Sequence, residues 1–272
     1  MLETGSNTIE NKKRLTIRIS KNSLSFAVAD TAGEQPVRYE PFILKSGISL
    51  AANMREAFKS AELLSIGYQR VQVMIDAPVL MIPSEIFNES DKEQLYYHSF
   101  PERKNEITLV NVLPDLNAVA LFSINKDLKM VIEDNIADVK YIIAMAPVWK
   151  QLHQRSFTGA RQKLYGYFHD GKIDIFGFRN NRFRFSNSFD AKNNKDALYF
   201  LLYVWKHTGL DAKQDEMHIV GDIPEKDSLI TEIREYLRNA YIINPIADYN
   251  RAPATQVKGI PYDLLTLLVK GR

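Results

Sequence analysis

Cysteine is absent from all 272 residues, which excludes disulfides, thiolate nucleophiles and every thiolate-held zinc or iron–sulfur centre. The familiar catalytic signatures are missing as well: there is no G-x-S-x-G elbow, no H-E-x-x-H, no G-x-G-x-x-G and no Walker A run, since Gly171-Lys172 is followed by Ile173. No apolar run approaches the length of a membrane span, and the opening residues MLETGSNTIENKKR carry no apolar signal core. Charge of one sign is not in excess. Lys and Arg number 35 against 33 Asp and Glu, a net charge of +2, so neither nucleic acid nor an anionic membrane is the expected partner. The five histidines, His98, His153, His169, His207 and His218, show no ligand spacing; they read as surface or hydrogen-bonded core side chains, and no metal site is expected. These absences suit a reducing compartment, and the expectation is a cytoplasmic protein with a disordered segment over residues 1–13.

What is present is an ordinary globular composition, 45% hydrophobic and 25% charged, with enough length for two domains of common size. Residues 162–189, QKLYGYFHDGKIDIFGFRNNRFRFSNSF, hold three aromatic-rich runs separated by Asp170-Gly171 and Asn180-Asn181, turn pairs that accept positive φ and suit tight hairpins. A long apolar segment, 195–209, follows as a helix closed by Gly209. Residues 14–44 repeat the pattern: LTIRIS, SLSFAVAD and PVRYEPFIL form a second meander around a turn at Thr31 to Glu34. Ser49 then caps a helix with the stripe Leu50, Met54, Ala57, Phe58, Ala61 and Leu64.

Each meander and helix is followed by strand, helix, strand, helix. In the first half the strand 70–75 ends at Asp76, and in the second the strand 216–220 ends in Gly221-Asp222. Only the first half is interrupted, over residues 77–124. There Ser90 to Glu93 has capping-box spacing ahead of a helix, and residues 106–124 read as a hairpin turning at Pro114-Asp115-Leu116-Asn117. The expected organisation is domain I over 14–160 with the insertion 77–124, then domain II over 161–272 with a proline-punctuated tail and a last helix near 262–269. An internal duplication of this kind builds two α/β domains with a cleft between them.

This doubled order resembles the actin-like ATPase superfamily, with its two ribonuclease-H-like domains and mixed five-stranded sheets. The position of the small α+β insertion is similar to that of the FtsA and PilM branch, and the chain resembles a degenerate, uncharacterised bacterial branch of it. The resemblance implies three nucleotide loops, and each departs from the family pattern. At the first phosphate loop Arg18 stands at the Asp position and Ser20 at the Gly position. At the second, the Asp position falls on Tyr167 or Gly166, and only Gly171 is left of the glycine run. At the adenosine loop, IVGDIP offers Gly221 alone. Without glycines the backbone cannot readily approach phosphate or base.

The expectation is therefore a pseudoenzyme, without catalytic residues, conventional ATP hydrolysis or a required cofactor. It would serve as an actin-like scaffold recognising a protein partner through residues 77–124, with membrane association only through that partner. The alternative is an ATP-binding protein or weak ATPase, using ATP and magnesium. Its cleft residues would be Ser20, Lys21, Asn22, Asp76, Asp170, Gly171, Gly221 and Asp222. Asp76 and Asp222 end corresponding strands and are a conceivable carboxylate pair for a hard cation, although capping of the following turn or helix accounts for each locally. Arg179, Arg182 and Arg184 interleave with Phe178, Phe183 and Phe185. Strand alternation would put Arg182 and Arg184 on one face and Phe183 with Phe185 on the other, against the core.

Overall fold

A computed structural model describes residues 14–29, 36–68, 70–179 and 182–270. The expected disordered start, the Thr31–Glu34 turn and the Asn180–Asn181 turn lie outside them. The chain forms two compact units. One runs to Leu113 and resumes over Val119–Ala146; the other comprises Pro114–Ala118 and the chain from Pro147 onward.

In the first unit β1 (Arg14–Ile19), β2 (Leu24–Ala29) and β3 (Val37–Phe42) form an antiparallel meander. Then β4 (Arg70–Ile75) pairs parallel with β1, and β8 (Val139–Ile143) parallel with β4, giving the order β3-β2-β1-β4-β8. The crossovers that parallel pairing requires are made by α1 (Leu50–Ser60) with the short α2 (Glu62–Ser65), and by α4 (Lys126–Asn135), which packs on α1. Ser49 caps α1 as the sequence indicates, its side chain accepting from the Ala52 amide. The stripe does not run on as one helix to Leu64: Ala61 is extended, at ψ 128°, and Glu40 accepts the amides of Glu62 and Leu63 to start α2 afresh.

The insertion carries β5 (Leu80–Pro83), α3 (Lys92–Ser99), β6 (Glu106–Leu113) and β7 (Ala118–Asn125), with sheet order β5-β7-β6. Ile82, Tyr96, Val119 and Leu121 form its own small core. The hairpin turns where the sequence puts it, with Asn117 at φ 50°. The capping box does not form: Ser90 lies inside a 3₁₀ turn, and Asp91 precedes α3 without a side-chain cap bond.

The second unit repeats the first. Strands β9 (Lys163–His169), β10 (Lys172–Arg179) and β11 (Arg182–Asp190) form the meander, and β12 (Glu216–Gly221) and β13 (Ala240–Ile242) complete the order β11-β10-β9-β12-β13 with the same senses. Its helices are α5 (Met145–Ser156), which begins at the junction of the units, α6 (Asn194–His207), α7 (Lys226–Tyr236), α8 (Pro245–Asp248) and α9 (Tyr262–Lys270). Two mixed five-stranded α/β sheets of identical order confirm the duplication. One face of the second sheet, with Leu164, Phe168, Ile173, Ile175, Met217 and Ile219, packs on α6 and α7. Each fully buried aliphatic or aromatic side chain there contributes roughly 1.5–3 kcal/mol.

The interleaved Arg and Phe run departs from simple alternation. A β-bulge shifts the register between Gly177 and Phe178, so Phe185 pairs with Gly177 and Phe183 with Phe178. Gly177 and Phe178 are consecutive and face opposite ways. Phe183 therefore meets the Trp149 ring at 5.5 Å, while Phe185 packs against the α6 core. Arg184 is the extra residue of the bulge.

Candidate functional site

The candidate residues gather at one end of each sheet. In the first unit, β1 and β2 are joined by a turn that closes on itself. The Ser20 amide donates to the Ser23 carbonyl at 2.9 Å, and Ser20 Oγ accepts the amides of Asn22 at 3.3 Å and Ser23 at 3.0 Å. Ser23 Oγ lies 2.8 Å from Ser20 Oγ and accepts from Nη1 of Arg18 at 2.8 Å. Arg18 is 1% exposed. Alternation through β1 and the residue after it marks Thr16, Arg18 and Ser20 as the polar side, yet that side is buried as fully as the apolar one. Lys21 and Asn22 are the exposed tip. Half-buried Asp76 follows β4 and extends the ladder, its amide donating to the Ile19 carbonyl at 2.8 Å. The structure thus brings Ser20, Lys21, Asn22 and Asp76 to the same end of the first sheet.

In the second unit Asp170 (φ 50°) and Gly171 (φ 77°) form the two-residue connection of β9 and β10, the left-handed pair that a tight hairpin demands. The register fixes what surrounds it. His169 pairs with Lys172, and Tyr167 with Asp174, so His169 and Asp174 are diagonal neighbours on one face. His169 Nδ1 lies 3.0 Å from Asp170 Oδ2, and Nε2 lies 2.5 Å from Asp174 Oδ2. The ring is thus held through both nitrogens, each against a carboxylate oxygen.

Burial pushes the Asp174 carboxyl up, but nearby Lys172 and hydrogen bonds from His169 and Ser188 outweigh it and hold the group below the usual carboxylate range. The Tyr167 ring stacks on His169 at 4.4 Å, and its hydroxyl accepts the Asp263 amide at the start of α9 at 3.3 Å.

The structure also separates Gly166 from Tyr167 as the position of the second phosphate-loop Asp. A Cβ at Gly166 would meet Ile173, Leu201 and Ile219 of the apolar core, within 3.3 Å; Tyr167 is on the side of His169 and Asp174. Gly221 ends β12 at φ 103°, where any Cβ would overlap the Phe168 carbonyl oxygen. That carbonyl accepts the Asp222 amide at 2.9 Å. Gly221 is thus required by the close approach of β12 to β9. Asp222 is not a helix cap: Glu225, in the left-handed region at φ 41°, precedes α7 without a side-chain cap bond. Asp170, Gly171, Gly221 and Asp222 share one end of the second sheet.

Sequence inspection missed the His169–Asp174 pair, although its signal was there. An Asp-Gly hairpin turn fixes the register, and the register alone makes residues 169 and 174 diagonal partners. Arg18 was marked as a replacement for an Asp, but its burial and its bond to Ser23 required the structure. Among the described residues, no helix is long and apolar enough to cross a membrane.

Comparison with solved structures agrees with this architecture. A Bacteroides thetaiotaomicron protein with an actin-like ATPase fold and unknown function matches with a TM-score of 0.80 and 28% identity, covering 94% of this chain and 100% of that one. A chain of the PilM–PilN type IV pilus biogenesis complex matches with a TM-score of 0.54 and 12% identity, over 95% of this chain and 98% of that one, a likeness of fold. No curated protein matches. The sequence profile of the family described as "Protein of unknown function (DUF3822)" matches residues 3–240. The protein has an actin-like ATPase fold, with the doubled mixed sheet seen in both units, and it belongs to the DUF3822 family.

Proposed function

We propose that this chain is a non-catalytic actin-fold scaffold, a pseudoenzyme that works through a protein partner. The observation that carries the reading is the self-occupied first turn. The amides of Asn22 and Ser23 are donated to Ser20 Oγ, and a buried cation, Arg18, stands where the family has a carboxylate for magnesium-bound water. Amides already paired inside a turn are poor phosphate donors, because each new bond would break an existing one. The other two loops support the same reading, since hairpin geometry accounts for Asp170-Gly171 and close strand approach for Gly221.

The partner surface in this proposal is the insertion, residues 77–124. It has its own small core and leaves Ile86 74% and Val112 63% exposed, large apolar side chains suited to an interface. PilM, which shares the fold, assembles with PilN in the pilus complex. An assembly role of this general kind is proposed here, with the partner's identity left to experiment.

The test is a thermal-shift titration with ATP and magnesium, together with a phosphate-release assay. A ligand at one hundred times its dissociation constant stabilises by about 2.7 kcal/mol, or roughly 5–10 °C in Tm for a chain of this size. No shift is expected. A shift of that size with phosphate release would establish the rival instead, an ATPase acting through Ser20, Lys21, Asn22 and Asp170.

A further inference from the structure

The second sheet has another concavity, at the end away from the Asp170-Gly171 turn. It is a pocket of about 290 Å³ bordered by the start of β9, the end of β10, the bulge of β11 and the end of α6. Six residues along β9 separate it from the turn, roughly 20 Å at the rise of a strand. Its lining is one-sided in charge. Arg179, Arg184 and His207 contribute cationic or protonatable groups, Gln162 and Thr208 are polar, and among the described residues no carboxylate lines it. Lys163 also borders the pocket, but its ammonium donates to the Thr158 carbonyl. Phe178, Phe185 and Leu210 supply apolar wall.

Three local features build this arrangement. The bulge makes Arg184 an extra residue between Phe183 and Phe185, which turn to opposite faces, and re-aiming a side chain is what such bulges do. Gly177 pairs with Phe185, and the ring lies where a side chain would stand, within 3.2 Å of a Cβ at Gly177. The last turn of α6 would ordinarily present carbonyls that repel an anion. Here the Thr208 amide and hydroxyl both donate to the Val204 carbonyl, the hydroxyl also reaches Trp205, and the Gly209 amide takes the Lys206 carbonyl. Those carbonyls are hydrogen-bonded and are not left bare toward the pocket.

We infer that this pocket binds a small organic oxyanion, a phosphate monoester or a carboxylate, with its charged head on Arg179, Arg184 and His207 and its apolar body against Phe185 and Leu210. Guanidinium groups suit such heads because their forked donors match two oxygens at once. A volume of about 290 Å³ lies at the small end of ligand pockets. It fits a one-ring ligand better than a nucleoside triphosphate. The inference does not depend on the state of the candidate residues at the opposite end of the sheet.

The experiment is isothermal titration of the full chain with phenyl phosphate, benzoate and inorganic phosphate at low ionic strength, each against a chloride control of matched ionic strength. Saturable binding of phenyl phosphate or benzoate is expected, tighter than that of inorganic phosphate because the ring adds contact. Preference between the two assigns the phosphate or the carboxylate class. Arg184→Glu and, separately, Arg179→Glu should each weaken binding by at least about tenfold, the loss of one charge-assisted contact. Lys195→Glu, at the other end of α6, should leave it unchanged. Both arginines are exposed, so the folded state should tolerate the changes, and circular dichroism checks that. Absence of saturable binding by all three probes overturns the inference, as does binding that both arginine variants leave intact. Binding of a single-stranded oligonucleotide, but of none of the small probes, would overturn it in favour of a nucleic-acid surface.

Discussion

Nε2 of His169 lies 2.5 Å from Oδ2 of Asp174 across the Asp170-Gly171 turn of the second sheet. Burial alone would raise the Asp174 carboxyl, yet Lys172, His169 and Ser188 hold it below the ordinary range. The linkage has a definite sign. A carboxyl with a lower pKa folded than unfolded stabilises the fold above its unfolded value, near 3.9 for Asp, and that stability is lost as pH falls through the lower folded value. Urea midpoints measured from pH 7 down to pH 2 should therefore fall on the acid side, with a smaller fall in Asp174→Asn. At pH 7 that variant should be less stable by about 1.5–3 kcal/mol, the worth of a hydrogen bond to a charged group. An unaltered acid limb in Asp174→Asn would remove this pair as its source.

Gly221 offers a sharper geometric test. At φ 103° a Cβ would overlap the Phe168 carbonyl oxygen, so both the dihedral angle and the contact oppose a side chain. Gly209, which follows α6 at φ 69°, has nothing within 4 Å of the same position. Gly209→Ala should cost about 1 kcal/mol for the left-handed conformation alone. Gly221→Ala should cost at least about 2 kcal/mol more, because β12 must move away from β9. Denaturant midpoints at constant slope read the difference; equal losses would mean that strand approach does not account for the glycine.

The bulge in β11 makes a prediction that the chain's two tryptophans can read. Phe183 touches Trp149, while Phe185 packs in the cluster that contains Trp205. In single-tryptophan backgrounds, Phe183→Ala should shift the emission of Trp149 and spare Trp205, and Phe185→Ala should do the reverse. Had strict alternation held, one tryptophan would answer to both. Each truncation of these half-buried rings should also cost about 1–3 kcal/mol, below the range for a fully buried phenylalanine.

Those two rings show where sequence reading succeeded and where it stopped. Leu15, Ile17 and Ile19, the Asp170-Gly171 turn, the Ser49 cap and Gly209 each carry local physics, and from them the two meanders, their helices and the duplication were legible. A bulge is not local in this sense: the extra residue at Arg184 is defined only against Gly177 and Phe178 on the neighbouring strand. The same holds for Ala61, where Glu40 of β3 interrupts a continuous helical stripe. Ser90 had the right spacing for a cap but sits in a 3₁₀ turn. At the candidate site, the positions of Ser20 and Asp170 followed from the turns. The bonds that occupy the first turn, and the side of the sheet that Tyr167 faces, depended on pairing and burial.

The insertion is tied to the first sheet through one side chain of β6. Asn111 on β6 uses its amide as a substitute strand: Nδ2 donates to the Tyr141 carbonyl at 3.0 Å, and Oδ1 accepts the Ile143 amide at 2.7 Å. Strand β8 is the edge of its sheet, and an uncovered edge invites pairing with another chain. Asn111→Leu keeps the bulk but orphans both backbone groups, at about 1–3 kcal/mol each where water cannot replace the bond. It should lower the thermal midpoint and raise amide exchange at Ile143, with little change in the small core around Tyr96. The same geometry bears on the search for a partner. Deleting residues 77–124 would uncover the β8 edge, and binding lost on deletion could reflect aggregation. Ile86→Asp and Val112→Asp change only exposed side chains and leave Asn111 in place. If the insertion is the partner surface, these substitutions should abolish capture of a specific partner while Tm stays unchanged; capture that persists in both would place that surface elsewhere.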